Sequence, residues 1–143
     1  MKEIIEELKE KFPNIEINLT EKSIICKAEK SLLIGIAKEL KKNFEHLSAI
    51  IGVEYENNYE VVYEFFSYKN LYSLELRIQI DKNEPNIQSL TSLWLGAEYH
   101  EREAYDMFGI TFEGNKNLER VLLPKDWSLF PLRKEFKLGE KHG

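Results

Sequence analysis

Cysteine is nearly absent from this 143-residue sequence, which contains only Cys26. A single thiol closes no internal disulfide and holds no iron–sulfur cluster, which needs several thiolates. Cys26 follows Ile24 and Ile25 in an apolar run typical of a strand. We therefore expect a buried thiol without a chemical role, and the sequence is consistent with a reducing compartment.

Long apolar runs are also missing. No stretch approaches the roughly 20 apolar residues that span a bilayer. The first residues include Glu3, Glu6 and Glu7, where a secretory signal has a basic region followed by a long apolar one. We expect a cytoplasmic protein, and any association with a membrane must come through a partner.

Positive charge is in deficit, with 20 Lys and Arg against 25 Asp and Glu. Because nucleic-acid binding depends on basic patches that neutralise phosphates, no nucleic-acid partner is expected. Paired His or Cys ligands, glycine-rich phosphate loops and a local Ser–His–acid signature are all missing from the sequence. The sequence therefore predicts no metal site, no cofactor and no catalytic residue.

Hydrophobic periodicity predicts eight elements in the order α-β-β-α-β-β-β-α. The predicted helices cover 2–12, 31–44 and 89–108, and the predicted strands cover 15–19, 23–28, 47–55, 59–66 and 72–80. Short links between the last three strands make them antiparallel neighbours. The order predicts an α+β domain at 1–109, with helices packed on a mostly antiparallel sheet.

After Gly109 the character of the sequence changes. Residues 110–143 lack sustained periodicity, contain Pro124 and Pro131, and carry seven Lys and Arg against five Asp and Glu. Trp127 is an apolar anchor of the kind found at interface centres, and Arg133 has the geometry to bind a carboxylate with two parallel hydrogen bonds. We expect an extended C-terminal arm that lies on its own domain, on a partner, or on both.

The last predicted helix is dense in charge. Glu101 interrupts its apolar stripe, and a carboxylate there is costly unless it is paired. An arginine from the arm is the expected partner, while acid–base chemistry by a Glu101 of raised pKa is the alternative. Glu98, Arg102 and Asp106 follow at spacings of four, which predicts a ladder of ion pairs.

The last helix and the arm together resemble the 30-kDa-subunit family of respiratory complex I, which is shared with energy-converting nickel–iron hydrogenases. The matching segments, in order, are Glu101-Arg102-Glu103, Tyr105-Asp106-Met107-Phe108-Gly109-Ile110, Phe112-Glu113-Gly114, Arg120-Val121-Leu122-Leu123, Pro124-Lys125-Asp126-Trp127 and Pro131-Leu132-Arg133-Lys134. The family usually has His-Pro where this chain has Asn115-Lys116, and Gly-His where it has Leu129-Phe130. These departures favour a divergent member of the hydrogenase type.

The resemblance implies a structural subunit without flavin, iron–sulfur cluster or quinone site of its own. It would pack beside the large hydrogenase-like subunit of the 49-kDa type. The residues expected at that interface are Glu101, Arg102, Glu103, Asp106, Arg120, Trp127, Phe130, Arg133 and Lys134. A self-sufficient small enzyme that uses Glu101, and a stand-alone protein-binding module, are the alternatives.

Overall fold

A computed structural model of the chain describes residues 2–116, and expectations that fall on 117–143 lie outside it. Its helices are α1 (Lys2–Lys11), α2 (Leu33–Leu40) and α3 (Ala97–Phe108). Its strands are β1 (Glu16–Leu19), β2 (Ser23–Ala28), β3 (His46–Glu54), β4 (Asn58–Ser67), β5 (Tyr72–Asp81), β6 (Asn86–Gln88) and β7 (Thr111–Glu113). A short 3-10 helix at Lys30–Leu32 leads into α2.

Five strands form one sheet in the order β1-β2-β5-β4-β3. Neighbours pair antiparallel except β2 and β5, which run parallel. The α+β class and the mostly antiparallel sheet are therefore confirmed, and the parallel pair is an addition that local pattern did not predict.

Alternation along each strand gives the sheet two different faces. On β5, Leu74, Leu76 and Ile78 are buried, and they share one core with apolar residues of all three helices. The alternate residues form the opposite face, which we call the open face. Its central members are Ile25, Ile51, Glu60, Val62, Glu64, Phe66, Ser73, Glu75 and Arg77.

The predicted helix at 89–108 is wrong at its start, because α3 begins at Ala97. Ser89 instead continues from strand β6, and its N–H donates to the Glu113 carbonyl at 2.8 Å. Trp94 is held by its own ring N–H, which donates to the Phe44 carbonyl at 3.2 Å. These tertiary bonds outweigh the helical spacing of the apolar residues before Ala97.

The first residues after Gly109 pack on the domain. β7 pairs parallel with β6, and Ile110 and Phe112 are buried. The predicted extended arm at 110–143 lies mostly outside the described residues, so the division of the chain after Gly109 stays a prediction.

Candidate functional site

Helix α3 carries the charged motif and packs closely against the edge strand β3. The Phe108 ring lies so near Gly52 that a Cβ at this glycine would be 2.6 Å from the ring. Phe108 also meets the Tyr59 ring, with a centroid distance of 6.1 Å. Gly109 ends the helix at φ 76°, a left-handed conformation that glycine adopts without strain. The contact of Phe108 with Gly52 and the cap at Gly109 fix the position of α3, and with it the positions of the charged side chains that α3 carries.

Glu101 is fully buried, and three neutral groups donate to its carboxylate. The Ser89 hydroxyl and the Asn115 side-chain amide reach Oε1 at 2.7 Å and 3.0 Å. The Leu90 backbone N–H reaches Oε2 at 2.7 Å. The carboxylate thus ties α3 to the turn after β6 and to the residues after β7. The arginines of the arm, Arg120 and Arg133, lie outside the described residues, so an arginine partner for Glu101 stays a prediction.

Burial raises the pKa of Glu101, and the three hydrogen bonds oppose that rise. The Tyr63 hydroxyl is buried and has no hydrogen-bond partner in the described part of the chain. Burial, and then the charge of Glu101, raise the pKa of Tyr63 well above its ordinary value. Burial thus shifts the titration of both groups toward the neutral form.

The predicted ladder of ion pairs does not form within residues 2–116. Arg102 pairs there with neither Glu98 nor Asp106, and its buried Nε has no hydrogen-bond partner. Asp106 is fully buried, and Arg102 is partly exposed. Glu103 is partly exposed, and its Oε1 lies 3.7 Å from Nδ1 of His100.

Two exposed apolar residues accompany these charges. Leu95, in the turn before α3, is 93% exposed, and Tyr99 is 49% exposed. Tyr99, Arg102 and Glu103 share one side of the helix because they are spaced at i, i+3 and i+4. We call Leu95, Tyr99, Arg102 and Glu103 the docking stripe. Sequence reasoning missed its two apolar members, although both fall out of phase with the buried stripe of the helix.

The remaining expected interface residues lie outside the described part of the chain. They are Arg120, Trp127, Phe130, Arg133 and Lys134. Their role stays a prediction.

Within residues 2–116, no three His, Cys, Asp or Glu side chains gather as a metal ion would require. Cys26 is buried, and burial raises the pKa of its thiol to about 12. No helix of this part has both the length and the apolar character to cross a bilayer.

The fold and site define a small α+β domain whose last helix is anchored by a buried carboxylate and displays charge and apolar surface outward. The family model described as "Respiratory-chain NADH dehydrogenase, 30 Kd subunit" matches residues 26–142. The chain belongs to this family.

Curated relatives are named as the C subunit of NADH-quinone oxidoreductase. That of Moorella thermoacetica is 31% identical over 147 residues, which cover 100% of this chain and 99% of the relative. That of Roseiflexus sp. strain RS-1 is 48% identical over 104 residues, which cover 71% of this chain and 59% of the relative. The chain therefore spans about three-fifths of the second relative's length.

Two solved structures share the fold. A chain of the membrane-bound sulfane sulfur reductase, an archaeal respiratory membrane complex, matches with a TM-score of 0.86 and 25% identity, over 96% of this chain and 85% of that one. The trypsin-resistant fragment (1-134) of Nqo5 matches with a TM-score of 0.68 and 24% identity, over 82% of this chain and 98% of that one. The second likeness concerns the fold alone.

Proposed function

We propose that the chain is a non-catalytic subunit of a membrane-bound oxidoreductase complex, of the NADH–quinone dehydrogenase or energy-converting hydrogenase type. Membership of the 30-kDa-subunit family and the names of the curated relatives support a subunit role. The likeness to a chain of an archaeal respiratory membrane complex supports it as well. In this proposal the chain is peripheral, bound to the cytoplasmic face of the membrane through its partners.

The docking stripe is the observation that carries the proposal. A 93% exposed Leu95 is costly in water and gains when a partner covers it. Tyr99 adds an aromatic surface of the kind that is enriched at interfaces. Arg102 is partly exposed and makes no ion pair among residues 2–116, so a carboxylate on a partner can pair with the accessible part of its guanidinium.

The charged residues of α3 divide into two roles. Glu101 and Asp106 are buried, so they hold the helix in place and act on the partner only through it. Arg102 and Glu103 reach the surface and contact the large hydrogenase-like subunit directly. In the same proposal that subunit also binds Arg120, Trp127, Phe130, Arg133 and Lys134.

Co-purification tests this assignment. The tagged chain is co-expressed with the other subunits of the complex, and the recovered large subunit is quantified. The double charge reversal Arg102→Glu with Glu103→Lys is expected to lower recovery about tenfold, which corresponds to about 1.4 kcal/mol. Lys38→Glu with Glu10→Lys is the matched control, because it makes the same change at two exposed helix positions away from the stripe.

Equal recovery from both double variants would contradict docking through α3. A tagged chain that purifies alone would favour the stand-alone binding module. The enzyme alternative requires solvent access to Glu101, and the full burial of that side chain counts against it.

A further inference from the structure

The centre of the open face carries three carboxylates, those of Glu60, Glu64 and Glu75, and one guanidinium, that of Arg77. Glu64 on β4 and Glu75 on β5 lie directly opposite each other in the register of these strands. Like charges in directly opposite positions destabilise a sheet. The Glu64 carboxylate has no hydrogen bond and no ion pair within the described residues.

Arg77, two residues after Glu75 on β5, already pairs with other carboxylates. Arg77 donates through Nε to Glu75 at 2.7 Å and through Nη1 to Glu60 at 3.2 Å. The Tyr55 hydroxyl adds a further hydrogen bond to Glu60, at 3.2 Å. One guanidinium and one phenol therefore serve Glu60 and Glu75, and neither is left for Glu64.

An open depression of about 260 Å³ lies between Glu64 and Glu75. Hydroxyl-bearing side chains and apolar groups complete its lining, and no Lys or Arg of the described residues contributes to it. The other lining residues are Ser23, Ile25, Ser48, Phe65, Phe66, Ser73 and Leu74. Carboxylates and hydroxyls together supply the several acceptors that a five-donor guanidinium needs.

All three helices join the core on the other side of the sheet. On the open face Glu60 and Val62 are only 2% and 5% exposed, whereas Glu64 and Glu75 are partly exposed. Ile51 on the open face is 45% exposed, which adds apolar surface beside the acidic depression. Two carboxylates without a third ligand do not form a metal cluster, and none is present in residues 2–116. An organic cation flanked by apolar groups fits the surface better than a metal ion.

We propose that the open face docks a second segment of a partner subunit, which places an arginine side chain between Glu64 and Glu75 and apolar side chains over Ile51. The inference rests on the proposed subunit function. It adds an interface on the side of the sheet opposite the docking stripe. The occupant is identified by charge complementarity, since a cation would compensate the charge of Glu64, whereas Arg77 already pairs with Glu75 and Glu60.

Photo-crosslinking in the assembled complex tests the occupant. Benzoylphenylalanine is placed at Ile25, which lines the depression, and at exposed Lys38 as a control. We expect the Ile25 variant to capture a partner peptide that contains an arginine beside apolar residues, and the control to capture none. Crosslinking to residues 117–143, to a second copy, to an acidic peptide or to nothing would overturn the proposal.

Charge removal provides the second arm. Glu64→Gln with Glu75→Gln is expected to lower recovery of the crosslinked subunit about tenfold, while Glu56→Gln with Glu84→Gln, on exposed loops, leaves it unchanged. Unchanged recovery from the open-face variant, when the docking-stripe variant loses the large subunit, would overturn this inference alone. Unchanged recovery from both would overturn the proposed function as well.

Discussion

Glu101 on α3 and Glu64 on β4 are two carboxylates without an ion pair among residues 2–116, and their surroundings differ. Glu101 is fully buried and accepts three hydrogen bonds from neutral donors of the same chain. Glu64 faces solvent across from Glu75 and has no donor in the described residues. The first carboxylate is built into the fold, whereas the second is left for a group outside it. We therefore expect substitution of Glu101 to change the stability of the fold, and substitution of Glu64 to change mainly the binding of a partner.

The largest loss of stability is expected from Glu101→Ala. It leaves the Leu90 N–H without its acceptor in a buried site and removes one acceptor each from the Ser89 hydroxyl and the Asn115 amide. The cost should be roughly 2–4 kcal/mol in the free energy of unfolding, measured by urea denaturation of the full chain. A loss below about 0.5 kcal/mol would show that Glu101 does not anchor the helix.

Glu101→Gln is the control, because it keeps the shape and an acceptor oxygen while removing the charge. Burial raises the pKa of Glu101 in the folded chain, so the folded state binds more protons than the unfolded state in the window above the ordinary value of 4.5. The stability of the wild type relative to this variant should fall as pH rises from 4.5 through the raised pKa. Urea titrations of both proteins at several pH values measure the difference, and a constant or rising difference would contradict the assignment.

Gly52→Ala tests the contact between α3 and β3. Its Cβ would lie 2.6 Å from the Phe108 ring, so either strand or ring must shift. Overpacking of this kind costs roughly 1–3 kcal/mol, again measured by urea denaturation. Gly96→Ala is the matched control, since its Cβ meets nothing within 4 Å and its φ is −63°. Equal stability of the two variants would argue against close packing of Phe108.

Gly109→Ala should have the next smaller effect. The residue sits at φ 76°, where an L side chain is strained, and the expected loss is roughly 1–2 kcal/mol. Gly109→Asn should recover part of that loss, because asparagine tolerates the left-handed region better than alanine does. Thermal unfolding of both variants measures the order, and the opposite order would contradict the cap.

The smallest effect is expected on the open face, and its sign is reversed. Glu64→Gln removes one of two like charges that lie opposite each other. It should stabilise the isolated chain by about 0.2–1 kcal/mol. Glu56→Gln, in an exposed loop, should change the free energy of unfolding by less. A clear loss of stability from Glu64→Gln would mean that this carboxylate has a partner within its own fold, and the contrast with Glu101 would disappear.

Local pattern predicted the sheet strands well. The alternation over 72–80 matches β5, Tyr72–Asp81, because a sheet with one covered face requires apolar side chains at every second position. The end of α3 at Gly109 was equally predictable from the sequence, since a glycine after the last helical turn is typical of a left-handed cap.

Long-range contacts explain what sequence reasoning missed. Helical spacing continues through residues 89–96, yet the N–H groups of Ser89 and Leu90 are taken by Glu113 and Glu101. Asn115 stood in the sequence as a departure from the family pattern, and the structure makes it a donor to Glu101 at 3.0 Å. None of these three hydrogen bonds has a signature in local periodicity.

The amino-acid sequence by itself determined which residues alternate between the two faces of the sheet, where the last helix stops and which family motifs the chain carries. The tertiary structure alone decided that Glu101 is held by neutral donors and that Glu64 faces Glu75. The reason is physical: periodicity is a property of neighbouring residues, whereas the partner of a charge depends on segments that only folding brings together.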